Sequence, residues 1–221
     1  MCKTFRAIAI AGALCPSLVM AAGGDLNITG TIVPTSCKPA FTGGNTVNLG
    51  DISAASLNPD RQTELTNHTI SLNVTCSASA PMAIKVHDNQ AHTQLPGIIV
   101  DGTDWPLYIY GIGLAPGAKK IGGYGLRFGT PTVDGQPSMV MYKQGSMPNW
   151  DSPDTATLVG KNVEGGNLRY SWGASLAAGP MPGVVHTFPM TLVPVIGPSQ
   201  NLDLSNYIPL NGSATFELLY L

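Results

Sequence analysis

The sequence predicts an all-β protein in which antiparallel sheets pack as a sandwich. Short stretches of alternating apolar and polar residues recur along the chain, and turn-forming residues separate them. Twenty-six glycines and eighteen prolines interrupt the 221 residues so often that no window keeps a helical apolar period. The segment Gly212–Leu221 alternates as well, and it also carries leucines on its second face. Together these patterns favour a β-sandwich with long inserted loops.

The candidate strands vary in how clearly they alternate. The clearest is His68–Cys76, where Ile70, Leu72 and Val74 share one face with Cys76. In chain order, the candidates are 26–32, 47–49, 68–76, 82–86, 107–112, 124–128, 139–143, 188–196 and 214–220. The segment Gly122–Gly125 is interpreted as a bend between strands. Region 130–183 is rich in glycine, proline, serine and asparagine, and we expect it to form surface loops between strands.

The N-terminus has the pattern of a secretory signal peptide. Lys3 and Arg6 precede an apolar stretch, and Val19–Ala21 supplies small residues suited to cleavage. We therefore predict a signal peptide at residues 1–21 and a single domain at 22–221. Removing Lys3 and Arg6 from the eleven basic residues leaves nine against thirteen acidic ones, without a basic patch. This composition argues against nucleic acid as a partner.

Two cysteines, Cys37 and Cys76, remain after the predicted cleavage. In an oxidising compartment such an isolated pair is expected to form a disulfide. A metal site would need further ligands at suitable spacing, and a catalytic thiol would need a basic partner. The sequence shows neither, so we predict the disulfide.

The remaining polar residues suggest no chemistry. His87 and His92 are five residues apart in a predicted strand end and loop, and no triad or ligand set includes them. Several aspartates, Asp88 and Asp134 among them, adjoin turn residues, where aspartate commonly caps turns. We predict no enzyme activity, no catalytic residue, no cofactor and no metal site. Trp150 and Trp172, in the loop-rich region, form a candidate ligand loop that could stack on sugars, although large aromatics are more often core residues.

The C-terminal strand is unusual, because chain ends are commonly polar and frayed. Ala214, Phe216, Leu218 and Tyr220 lie on one face, and Leu219 and Leu221 are apolar on the other. A strand of this kind belongs deep in a sheet or is covered by a partner.

Three features together resemble subunits of the chaperone–usher pili of Gram-negative bacteria. They are Gly30–Cys37, the strand that ends at Cys76, and the C-terminal strand with penultimate Tyr220. The chain is more closely similar to a fimbrial-like family of unknown function in the same superfamily. That similarity extends through Lys85–Asn89, Lys120–Tyr124, Leu202–Ser205 and Leu210–Gly212.

The resemblance implies an immunoglobulin-like sandwich that lacks its final strand. Ala214, Phe216, Leu218 and Tyr220 would line one edge of the resulting acceptor groove. A periplasmic chaperone would fill it first, and a strand from another fimbrial subunit would replace the chaperone at an outer-membrane usher. This is donor-strand complementation, a form of β-augmentation. The protein would pass through the periplasm and end on the fimbria at the cell surface.

Two features depart from the pattern of a bulk shaft subunit. The candidate donor segment, with Leu26 and Ile28, is short, because only Gly23–Ile28 precedes the expected first strand. Region 130–183 also lengthens the chain. The sequence therefore favours a tip or minor subunit, structural or adhesive, with a host glycan as a further candidate partner. The alternative is a self-contained periplasmic or surface β-sandwich that binds carbohydrate.

Overall fold

A computed structural model describes residues 35–153 and 157–221, and these form β-strands joined by loops and turns. The strands are β1 (Cys37–Phe41), β2 (Thr63–Glu64), β3 (His68–Ala80), β4 (Met82–Asp88), β5 (Tyr110–Gly111), β6 (Leu114–Ala115), β7 (Lys119–Lys120), β8 (Gly122–Phe128), β9 (Thr132–Val133), β10 (Gln136–Pro137), β11 (Met139–Lys143), β12 (Arg169–Gly173), β13 (Gly183–Ile196) and β14 (Ala214–Tyr220). Single-turn 3-10 helices lie at Ala54–Ser56, Ala91–Thr93, Pro106–Tyr108, Pro116–Ala118 and Ser199–Asn201. Within the described residues, no helix has the length and hydropathy needed to cross a membrane.

Two antiparallel sheets make the sandwich. The first has the strand order β1-β3-β13-β8-β5, and the short strands β2 and β9 also pair with β13. The second has the order β11-β12-β4-β14. Inward side chains of both sheets, such as Leu72 and Val74 from β3 and Ile84 and Val86 from β4, enter one core. The predicted all-β sandwich is confirmed.

Strands β3 and β4 follow each other directly, yet they belong to different sheets. Only Pro81 separates Ala80 from Met82, so the chain passes from one sheet to the other at this corner. The alternation predicted for β3 is confirmed, since Leu72, Val74 and Cys76 are buried. Strand β3 joins the edge strand β1 to the rest of the first sheet, because it pairs with both β1 and β13.

Region 130–183 holds both strands and loop. A long loop is confirmed at 144–168, where the described residues form only isolated bridges. The expectation that it lies at the surface is wrong for Leu158 and Val159, which are buried in the core. The strands on either side of this loop, β11 and β12, are two of the four strands of the second sheet. Strand β12 lies between β11 and β4, and the Ser171 hydroxyl donates a hydrogen bond of 2.6 Å to the Met82 carbonyl. The loop insertion is thus anchored by strands within the sandwich itself.

The bend predicted at Gly122–Gly125 is wrong, because these residues begin strand β8. Gly122 lies opposite Ile196 of β13. A Cβ atom at Gly122 would collide with the carbonyl oxygen of Val195. The glycine therefore permits close backbone approach inside the sheet, which is the second meaning that a glycine has in a strand pattern.

A disulfide joins Cys37 of β1 to Cys76 of β3, which confirms the predicted pair. The two residues lie directly opposite each other in the ladder of these strands. Their sequence separation is 39 residues. Closing a loop of that length stabilises a fold by about 4 kcal/mol through the entropy of the unfolded chain. The bond fastens β1, an edge strand, to its neighbour β3 in the first sheet.

Candidate functional site

Strand β14 is an edge strand of the second sheet. It pairs along one side with β4, and no strand of the described residues pairs with its other side. The four predicted acceptor residues share the face that points into the sandwich. Ala214, Phe216 and Leu218 are half-buried and pack against the core, and Tyr220 is 55% exposed. The apolar face of this strand is thus incompletely covered.

The backbone of β14 shows which residues face the open edge. Asn89 donates its N–H to the Ser213 carbonyl at 3.0 Å, and Leu221 donates its N–H to the Pro81 carbonyl at 3.3 Å. Backbone groups alternate in direction along an antiparallel strand, so residues 213, 215, 217, 219 and 221 bond toward β4. The main-chain groups directed to the open edge are those of the remaining residues, Ala214, Phe216, Leu218 and Tyr220. The predicted acceptor residues therefore also carry the outward hydrogen-bonding groups.

The outer edge of β1, which pairs with no strand of residues 35–153 or 157–221, offers fewer main-chain donors. Ser77 donates its N–H to the Ser36 carbonyl and Thr42 donates its N–H to the Ser71 carbonyl, so residues 36 and 42 face β3. Alternation then directs the main chain of residues 37, 39 and 41 outward. Proline at position 39 has no N–H to donate.

Two side-chain contacts bring β1 and β14 together. The Cys37 N–H donates to the Tyr220 hydroxyl at 2.8 Å. The Phe41 and Phe216 rings meet edge to face, with centroids 5.1 Å apart. These contacts show that the two edge strands run in opposite directions across the gap between the sheets. We call this gap, bounded by Cys37, Phe41, Phe216 and Tyr220, the β1–β14 groove.

The candidate donor segment with Leu26 and Ile28 lies outside the described residues, as does the predicted signal peptide. The two candidate ligand tryptophans lie in different environments. Trp172 is 1% exposed in β12 and stacks on Phe188, with ring centroids 5.2 Å apart. Its indole N–H donates to His186 Nδ1 at 2.9 Å. Its assignment to a ligand loop is wrong, because its ring lies inside the core and cannot reach a surface ligand.

Trp150 remains a candidate, because it is half-buried and lies in the 144–168 loop. It borders a surface depression of about 590 Å³, together with Lys143, Pro148, Asn149 and residues 176–179. Two cations approach the indole ring. Lys143 Nζ lies 5.8 Å from the ring centroid and the Arg169 guanidinium carbon lies 5.9 Å from it.

A buried polar cluster, which sequence reasoning missed, centres on Lys161. Its Nζ atom donates to Asp88 Oδ2 at 3.1 Å, to Gln94 Oε1 at 3.0 Å and to the Ile109 carbonyl at 2.6 Å. Asp88 also accepts the N–H groups of Gln90 and Gly111. Asp88 thus caps a turn, as predicted, and also holds an ammonium ion. Every Nζ proton has an acceptor, so the cluster is a structural tie between β4 and two loops.

The shifted pKa values of the titratable groups are explained by burial and hydrogen bonding within the fold. Burial raises the pKa of Tyr110, Tyr124 and Tyr170, which keeps these phenols protonated. A hydrogen bond from Arg127 lowers the pKa of Asp101. Among the described residues, no group of three histidine, cysteine or acidic side chains is placed to hold a metal ion.

Comparison with known proteins gives partial matches. The model of a family described as "Protein of unknown function (DUF1120)" matches residues 26–125. Protein GltF of Escherichia coli strain K12 is similar to this chain, with 29% identity over 115 residues. That match covers 44% of this chain and 44% of GltF, so the chain spans less than half of this relative. The family match agrees with the resemblance to a family of unknown function, and it includes the disulfide but ends before β14.

Proposed function

We propose that the protein is a structural or adhesive subunit of a chaperone–usher fimbria, assembled by donor-strand complementation. The observation that carries the proposal is the open edge of β14, where outward main-chain groups and a half-covered apolar face belong to the same residues. Its partners are a periplasmic chaperone, an outer-membrane usher and other fimbrial subunits. The protein passes through the periplasm and is displayed at the cell surface.

The physical basis is the cost of an uncovered edge. An exposed apolar edge strand is a template for pairing with another chain, and natural sheets blunt such edges with charges, proline or short length. Strand β14 has seven residues and a single charged side chain, that of Glu217. On β1, by contrast, Pro39 interrupts the outward donors. An added strand therefore bonds its main chain chiefly to β14, and its alternate side chains enter the β1–β14 groove.

The proposed position in the fibre depends on how well the subunit accepts a strand and how well it donates one. The acceptor edge spans the full length of β14. The donor portion Gly23–Ile28 measures at most about 20 Å when extended, and only alternate residues would enter a neighbour's groove. A subunit that accepts well and donates poorly suits a tip or minor position rather than the bulk shaft.

Substitution of Leu218 by proline tests strand addition at the main chain. The Leu218 N–H faces the open edge, so proline removes a donor that an added strand would use and spares the ladder with β4. We expect Leu218→Pro to abolish capture by a co-expressed periplasmic chaperone, measured by co-purification. Leu218→Ala, which retains the N–H, should weaken capture less.

Two controls complete this experiment. Leu219→Pro removes an N–H that faces β4, so it should destabilise the fold itself. The unsubstituted mature chain, expressed alone in an oxidising periplasm, should aggregate or be degraded. A soluble, monomeric and cooperatively folded chain without any chaperone would contradict the proposal, as would normal capture of Leu218→Pro.

The second candidate function is a self-contained periplasmic or surface domain that binds carbohydrate, including a host glycan, through the Trp150 loop. It is favoured by the half-buried indole beside the surface depression. An aromatic ring that retains an accessible surface is suited to stacking on a sugar. A glycan array should then show binding that Trp150→Ala removes and that Trp105→Ala, at an exposed tryptophan elsewhere on the surface, retains. An array without any bound glycan would end this candidate.

A further inference from the structure

Two cations lie directly opposite each other where the second sheet meets the Trp150 loop. Lys143 of β11 and Arg169 of β12 are register partners in the antiparallel ladder. Like charges in this position destabilise a sheet. Among the described residues, neither side chain lies within ion-pair distance of a carboxylate, since the ion pairs there join other residues. The fold thus retains an unfavourable pair that no described acidic residue neutralises.

Trp150 holds the pair in place. Both cations lie within 6 Å of its ring centroid, where the electrons of the ring attract positive charge. Lys143 Nζ also donates to the Pro148 carbonyl at 2.8 Å, in the same loop. These contacts restrict the Lys143 ammonium group to one wall of the depression before any ligand arrives. A preorganised donor loses less conformational freedom when a ligand binds.

The depression is larger than a simple ion requires. Its volume is about 590 Å³, and Leu176, Ala177 and Ala178 add apolar side chains to a lining that also holds Lys143 and Trp150. Asn149 contributes an amide that both donates and accepts hydrogen bonds. A shallow lining that mixes polar groups with apolar side chains suits a ligand that has both kinds of surface, as a sugar ring does.

We infer that this depression binds an acidic saccharide, meaning a sugar ring that carries a carboxylate. The carboxylate contacts the Lys143 ammonium group in the lining, and Asn149 hydrogen-bonds to hydroxyl groups of the ring. Arg169 does not line the depression, but its charge lies beside the same indole ring and adds to the attraction for an anion. The apolar face of the sugar lies against the indole and the alanine wall. The inference rests on the carbohydrate-binding candidate and specifies its ligand, and it is independent of strand addition at β14.

The test uses the mature chain and three small probes followed by NMR. Methyl β-D-glucuronide carries the ring and the charge, methyl β-D-glucoside carries the ring alone, and acetate carries the charge alone. We expect the glucuronide to shift the Trp150 indole and Asn149 side-chain amide signals, with an affinity at least tenfold above that of either other probe. Lys143→Gln should weaken glucuronide binding at least tenfold, and Arg169→Gln, at a cation outside the lining, should weaken it less. Lys120→Gln, which removes an exposed cation from β7, should bind as the parent does.

The outcomes separate this inference from the function on which it rests. Lys143→Gln and Arg169→Gln each relieve a like-charge contact and also remove a cation–π contact with Trp150, so both should unfold at a temperature close to that of the parent, checked by thermal unfolding. Equal binding of the glucoside would leave carbohydrate binding intact and overturn the acidic specificity. Equal binding of acetate would reduce the site to a simple anion site and also overturn it. An array of neutral, sialylated and uronate-containing glycans without any bound member would remove both ideas together.

Discussion

Replacing Lys161 with methionine is expected to lower the free energy of unfolding by about 3–5 kcal/mol, because it leaves the Asp88 carboxylate buried without its counterion. The side chain of Asp88 is 1% exposed and that of Lys161 is 8% exposed. Methionine fills a similar volume, so lost packing contributes little to the change. The Gln94 amide oxygen and the Ile109 carbonyl would also lose their donor. Urea unfolding of the mature chain with its disulfide intact measures the difference.

A double-mutant cycle separates the charge from the packing. Adding Asp88→Asn to Lys161→Met removes the stranded charge, so the double variant should lose less stability than the two single losses added together. Lys85→Met is the matched control, because it changes a less buried lysine of β4 and should alter the free energy by under about 0.5 kcal/mol. A Lys161→Met variant as stable as the Lys85→Met control would show that the buried pair contributes nothing to folding.

The parts of the fold that the sequence predicted are those with a local signal. Residues 68–76 alternate because β3 lies with one face in the core and the other toward solvent. Strand β12 gave no such signal, since Tyr170, Ser171 and Trp172 are all buried and alternation vanishes when both faces are covered. The glycines of β8 suggested a bend, because the sequence alone does not show that another strand packs closely against them. Their role depends on a neighbouring backbone that is distant in sequence.

The candidate sites also differ in whether a local sequence pattern predicts them. The local pattern of strand β14 indicated a strand that is either deep in a sheet or covered by a partner, and the resemblance to pilus subunits implied the acceptor role. The structure adds the direction of its main-chain groups. The Lys161 cluster depends on a partner 73 residues away in sequence. The buried apolar pair Leu158 and Val159 precedes the lysine, but two apolar residues in a loop-rich region do not indicate which acidic residue lies nearby. The Lys143–Arg169 pair likewise requires the register of two strands that a long loop separates. Distant pairing of this kind is fixed by the sheet, and no short motif predicts it.

The second large effect is expected at Trp172, where substitution by alanine should lower the free energy of unfolding by about 3–5 kcal/mol. The change removes a large buried ring that stacks on Phe188, and the surrounding strands cannot close the cavity completely. It also removes the donor to His186 Nδ1. The other ring nitrogen of His186 lies 3.1 Å from the Ala80 carbonyl and 3.0 Å from the Gly183 carbonyl, so it carries the proton. The alanine variant therefore leaves Nδ1 buried without a partner.

Three variants distinguish these contributions by urea unfolding. Trp172→Phe preserves a ring against Phe188 but lacks the N–H, so it should cost about 1–3 kcal/mol for the unpaired His186 nitrogen, in addition to some lost packing. Trp105→Ala, at a tryptophan that is 61% exposed, should change the free energy by less than about 1 kcal/mol. The expected order of loss is Trp172→Ala, then Trp172→Phe, then Trp105→Ala. If Trp172→Ala were as mild as Trp105→Ala, the ring would lie at the surface, and its role as a ligand-binding residue would be open again.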